Sequence, residues 1–285
     1  MIFFLRMIVL ISLSFPLYAE KETVVLMAKE NNPALTNLYK RLYSLNANFN
    51  YVISTEEHPI DIKSNDFVVL VGVNKPSHSN VDSHKKTISV LITKDQSFGI
   101  KSQTSIWMEP PLSRQLMLAN LVIPGQQKLG LLIKGSESRK NQLSGLSESQ
   151  IQMLNIIDIE ESENINQALF NVLKGSKLLL GSYDPEIYSS SNLKNILITS
   201  YRQKKVMIGP SRAYLKAGSL STTFSDLGHV AQRIMDVVLE YQSSAKWLKA
   251  GYNPYYRILF NKQVARSLDI ILPEEDVLLK NMPPQ

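Results

Sequence analysis

The sequence predicts an α/β chain made of two doubly wound parallel-sheet lobes with a hinge and an interlobe cleft. Three observations predict it. Short unbroken apolar runs alternate with stretches of helical periodicity, the pattern of parallel strands covered on both faces. The runs form two series of four, at 23–27, 49–53, 67–71 and 88–92, then at 129–133, 155–159, 177–180 and 206–208. Between the series stands Ser105-Ile106-Trp107-Met108-Glu109-Pro110-Pro111, whose consecutive prolines cannot join a ladder and fix the chain direction, as a crossover needs.

Each element has its own local reason. Thr23-Val24-Val25-Leu26-Met27 is a buried strand, and Pro33 to Leu45 carries Leu35, Leu38, Leu42 and Leu45 at helical spacing. Phe49 to Ile53, Phe67 to Val71 and Ile88 to Ile92 are further strands. Arg114 to Val122 reads as a helix with Leu116, Met117, Leu118 and Leu121 inward, ended by Pro124-Gly125. In the second series, helices are expected over 147–153, 165–173 and 188–201 between the apolar strands. After Val206-Met207-Ile208 the chain reads GPSRAYLKAGSLSTTFSDLG, residues 209–228, crowded with glycine and hydroxyl side chains. Such a run suits a return crossing between lobes. Gly218 eases its turn, the hydroxyls of Ser219, Ser221, Thr222 and Thr223 are available across the cleft, and Asp226 caps the next helix.

Composition narrows the class. The chain has 285 residues, 44% of them apolar, enough for two lobes of about 100–150 residues each. It has no cysteine, which excludes disulfides, thiolate metal sites and a lipid-modified N-terminal cysteine. Its net charge of +6 is dispersed, without an arginine and aromatic stripe, so no nucleic-acid partner is expected. MIFFLRMIVLISLSFPLYAEKE has one arginine, an apolar run from Met7 to Phe15 and a small residue at Ala19, the outline of a cleaved signal peptide over 1–19. The expected product is periplasmic and not a lipoprotein.

Catalytic chemistry is missing from the pattern. The four histidines, His58, His78, His84 and His229, form no metal-ligand spacing, and no nucleophile elbow occurs. Gly175-Ser176-Lys177 enters a strand rather than leaving one, so it is no phosphate loop. Adjacent carboxylates such as Glu56-Glu57 decorate a surface. No enzyme activity, metal or cofactor is expected. Ligands of doubly wound sheets sit beyond the carboxyl ends of strands. The candidate ligand-binding residues are therefore Glu30, Asn31 and Asn74 in the first lobe and Ser136, Tyr183, Asp184, Ser211 and Ser219 in the second.

Four segments resemble those of ABC-transporter substrate-binding proteins with the type I periplasmic-binding fold, close to the tryptophan and tyrosine binders. Glu30-Asn31-Asn32-Pro33-Ala34-Leu35 resembles their E-H-P-A-L loop. Arg114 to Leu118 with Pro124-Gly125 and Lys128 to Leu132 resembles their entry to the second lobe. Leu215 to Leu220 with Asp226 to Ala231, and Asn261 to Ile270 with Pro273, resemble the last two. The chain departs from that pattern between Gly72 and Ile88, where the helix after the third strand is missing, and at Thr93-Lys94-Asp95-Gln96. The resemblance implies a first lobe of 20–112 plus about 221–246 and a second of 113–220 plus about 247–285. It also implies an exported receptor for a small-molecule ligand, an amino acid or similar, serving the membrane permease of an ABC importer. The alternative is a periplasmic protein of the same fold that regulates a membrane sensor protein, with reduced solute binding.

Overall fold

A computed structural model describes residues 21–77, 80–125 and 128–282. The expected signal peptide and His78 lie outside them. Two sheets of six strands each organise the chain.

The first sheet contains β1 (Thr23–Met27), β2 (Asn50–Ser54), β3 (Phe67–Val71), β4 (Thr87–Ile92), β5 (Thr104–Trp107) and β11 (Gly251–Tyr252), in the order β11-β5-β4-β3-β1-β2. All its pairings are parallel. Phe67 to Val71 is buried throughout, as a strand covered on both faces must be. The second sheet contains β6 (Leu129–Ile133), β7 (Leu154–Asp158), β8 (Leu178–Leu180), β9 (Val206–Gly209), β10 (Ser221–Phe224) and β12 (Arg257–Phe260), in the order β12-β10-β9-β8-β6-β7. Only β12 runs antiparallel, at the edge beside β10. Both halves thus have the 2-1-3-4-5 order of a doubly wound fold, with a sixth strand added.

Helices cover these sheets through apolar stripes. On the first sheet, α1 (Pro33–Leu45) buries Leu35, Leu38 and Leu42 beside Val230, Ala231, Ile234, Met235 and Val238 of α9 (Leu227–Ser244). Each such side chain taken from water contributes about 1.5–3 kcal/mol. The other face is thinly covered. No helix spans 55–66, and Ile60 and Ile62 pack there against Val25, Met27 and Val68. On the second sheet, α6 (Ile165–Lys174), α7 (Ser190–Arg202) and α8 (Arg212–Ala217) share one face. The opposite face takes α3 (Leu112–Val122) and, from the C-terminal α11 (Glu275–Asn281), Leu278, with Met282 just beyond it.

The two expected series of four strands are each two strands short. Thr104–Trp107 is a strand rather than a junction, and the crossover begins after it. Ser221–Phe224 is a strand of the second sheet, fully enclosed, so its hydroxyls do not face a cleft. Its β-branched threonines suit a strand, but it has no apolar run to announce one. Trp247, Leu248 and β11 pack with the first sheet, past the expected change of lobe at about 247.

The chain crosses between sheets three times, through 108–111, 225–226 and 253–256. These crossings are tied to one another. Arg114 donates to the Asn253 carbonyl at 2.9 Å and lies 3.9 Å from the centre of the Tyr256 ring. Ser225 donates to the Tyr255 carbonyl at 2.6 Å, and Arg257 pairs with Asp226 at 3.4 Å.

Candidate functional site

A cleft of about 770 Å³ lies between the carboxyl ends of the two sheets. Its first-sheet wall comes from the turn after β4, the 108–110 segment after β5, and Tyr252 at the end of β11. The second-sheet wall is α4 (Gly135–Leu143), the 181–186 loop after β8, and Pro210 after β9. Leu112 and Gln115 of α3 complete it, and Gln115 donates to the Gly181 carbonyl at 3.1 Å. A smaller hollow of about 480 Å³, beside Lys21, Val25, Val52 and Asp66, includes the amino-terminal start of the first sheet, away from these strand tips.

The short helix α2 (Lys94–Ser97) sets the first wall. Thr93 caps it by accepting from the Gln96 amide at 3.2 Å, and the Gln96 side chain accepts from the Thr93 amide at 2.9 Å. This reciprocal cap presents the Lys94 amide, which donates to Glu109 Oε1 at 2.6 Å. Glu109 Oε2 is enclosed and has no hydrogen-bond partner. Burial, helped by the nearby Asp95 charge, pushes the Glu109 carboxyl up to about 7 from its ordinary 4.5. Burial also pushes the Tyr252 phenol up to about 12, with Glu109 and Asp95 adding to the effect. Trp107 packs edge-on against Tyr252 at 4.8 Å.

On the second wall, Asp184 Oδ1 accepts from the amides of Glu186 at 2.9 Å and Ile187 at 3.2 Å, which fixes the 184–187 turn. Burial raises the Tyr183 phenol despite a hydrogen bond with Ser211, and the Glu109 charge raises it further. Ser182 Oγ is enclosed without a partner. Lys134 pairs with Glu186.

The walls touch at Asn141. Its carbonyl accepts from Lys94 Nζ at 3.2 Å, and its amide donates to Asp95 Oδ1 at 2.9 Å. Five acids, Asp95, Glu109, Glu137, Asp184 and Glu186, face two lysines, Lys94 and Lys134, so the lining is acidic. Among the described residues no group of three or more histidine, cysteine or acidic side chains is arranged to hold a metal. No helix among them is long and apolar enough to cross a membrane.

Of the expected ligand residues, the structure brings Tyr183 and Asp184 to this lining. Ser211 stands behind Tyr183 as its hydrogen-bond partner. Ser136 is exposed outside the lining, one residue into α4. Glu30, Asn31 and Asn74 are exposed on neighbouring loops, where the Lys29 amide donates to the Asn74 carbonyl at 3.2 Å and Asn31 accepts from the Thr36 hydroxyl at 3.2 Å. Ser219 is fully enclosed in the second lobe, its oxygen 3.0 Å from where a side chain at Gly209 would begin. Glu109, Asn141 and Tyr252 lie outside the sequence expectations, whereas Lys94, Asp95 and Ser182 stand on loops after β4 and β8, where doubly wound sheets place ligands. The 93–96 departure and the unusual Glu109-Pro110-Pro111 were the available signals.

No protein-family model matches the chain, and no curated protein matches it. Solved structures do. A conserved domain protein of Vibrio cholerae O1 biovar El Tor is 16% identical with a TM-score of 0.55, over 91% of this chain and 98% of that one. A Streptococcus ABC domain solved in complex with L-Trp is 15% identical with a TM-score of 0.53, over 92% and 98%. The ligand-free, open structure of a Clostridium difficile substrate-binding protein with adhesive properties is 12% identical with a TM-score of 0.66, over 90% and 97%. The chain has the type I periplasmic-binding fold of ABC solute-binding proteins.

Proposed function

We propose that this protein is an exported solute-binding protein, which captures a small molecule between its two lobes and presents it to the permease of an ABC importer. The observation that carries the reading is the acidic cleft at both sets of strand tips, lined by Asp95, Glu109, Glu137, Asp184 and Glu186. The lining suits an amino acid or similar molecule: its ammonium pairs with Glu109 and Asp184, and its apolar part lies between Tyr183 and Tyr252. Such a ligand touches both lobes, so its binding favours the closed arrangement. The division into two lobes that move about three short crossings belongs to the same proposal.

The test is a thermal-shift screen of the purified protein against amino acids, amines and sugars, with mass spectrometry of whatever co-purifies. At 100 times its dissociation constant, the true ligand stabilises the fold by about 2.7 kcal/mol. Glu109→Gln and Tyr183→Ala should each weaken it about tenfold or more. A library without a single stabilising solute, together with an empty mass spectrum, overturns the proposal.

A further inference from the structure

The outer face of the second lobe combines exposed apolar side chains with basic ones. α6 and α7 lie side by side, and Asn195 of α7 donates to Asn166 of α6 at 2.7 Å. Further along the two helices stand three exposed apolar side chains: Phe170 at 55% and Ile198 at 42% of full exposure one turn on, and Tyr201 at 48% nearly two turns on. The two helices contain no carboxylate. At their carboxyl-terminal ends, on the pole away from the cleft, Lys174, Lys177 and Arg202 are exposed, and among the described residues none of them makes an ion pair. Lys205, donating to the Ser176 carbonyl at 2.6 Å, titrates below its ordinary value, first because of burial and then because of the Lys177 charge. Of the acids of this region, Glu160, Glu161, Glu163, Asp184 and Glu186 belong to connections at the cleft end, and the exposed Glu148 lies just before β7 at the opposite end. The face therefore grades from acidic beside the cleft to mostly positive charge at the far pole.

We propose that this face docks on an anionic lipid surface: Phe170, Ile198 and Tyr201 enter the headgroup layer while Lys174, Lys177 and Arg202 meet lipid phosphates. The charge selects an anionic surface, at about 1 kcal/mol per lysine or arginine held near it. The apolar groups select lipid over a folded partner. They stand singly among cations on a pair of helices, and an interfacial layer accepts such side chains without a matching pocket. This inference is independent of the solute-binding proposal.

The experiment is sedimentation of the exported chain, residues 20–285, with vesicles of phosphatidylcholine alone and with about one-third phosphatidylglycerol. The protein should partition onto the anionic vesicles only, and high salt should release it. Each cation removed in Lys174→Gln, Lys177→Gln or Arg202→Gln should weaken partition about fivefold. Phe170→Ser with Tyr201→Ser should weaken it without changing its salt dependence. A control removing Lys40, Arg41 and Lys101 from the first lobe should bind as wild type, and equal melting temperatures verify that the variants are folded. Equal binding to neutral vesicles, a triple variant that binds as wild type, or a control that loses as much each overturns the proposal. No vesicle binding at all also overturns it and leaves the face to a protein partner.

Discussion

Glu109 gains its chemistry from its surroundings rather than from its neighbours in sequence. It follows β5 at the first crossing, and the capped turn at Thr93 delivers one amide to one of its oxygens while the other stays unpaired. Its carboxyl shifts from 4.5 in the unfolded chain to about 7 in the fold, so the folded state holds the proton more tightly. The stability this group contributes is complete below pH 4.5 and is lost as pH rises through about 7. Glu109→Gln should therefore flatten the melting curve's pH dependence, raising the melting temperature at pH 8 by roughly 2–6 °C and leaving it nearly unchanged at pH 4.5. Calorimetry of both proteins across that range checks this, and parallel profiles would refute it. Glu109 was visible in the sequence only as part of a proline-rich junction. Its partner amide lies 15 residues away in the chain, and nothing in local periodicity links the two.

At the scale of elements, the hydroxyl-rich run after β9 shows what residue type conveys and what it does not. Asp226 caps α9 as its sequence context suggests, accepting from the amides of Gly228 at 2.9 Å and His229 at 3.1 Å. Burial opposes its ionisation, but the His229 amide, the His229 and Arg257 charges and the Gly228 amide outweigh it and hold the carboxyl below 3.8. The stability it adds is present above that range and lost as pH falls through the lowered value. Asp226→Ala should cost about 1–2 kcal/mol in urea unfolding at neutral pH, and Asp226→Asn, which keeps the cap, less than about 1 kcal/mol. Equal losses would show that the charge and not the cap matters. Gly218 also turns the chain as expected, with φ of +123°. The hydroxyls between them behave otherwise, because Ser221–Phe224 pairs with β9 on one side and β12 on the other. A strand written Ser-Thr-Thr-Phe has no apolar run to read, and both its neighbours come from elsewhere in the chain.

For the whole molecule, the contact at Asn141 is the only hydrogen-bonded link described between the α2 turn and α4. Asp95 and Lys94 of the first wall both bond to it. Asn141→Ala removes the Asp95 bond and should shift the lobes towards an open arrangement, enlarging the radius of gyration in small-angle scattering and weakening solute affinity several-fold. An unchanged radius would mean that the three crossings alone set the lobe angle. The sequence by itself determined the fold class, eight of the twelve described strands and the Asp226 cap, because burial on both sheet faces and helix-end chemistry are written in neighbouring residues. Only the tertiary structure decided which strand tips border the cleft, which carboxylate stays unpaired there, and which cations gather at the far pole. Those are meetings between residues distant in the chain, and they follow from strand order and crossover direction rather than from any local pattern.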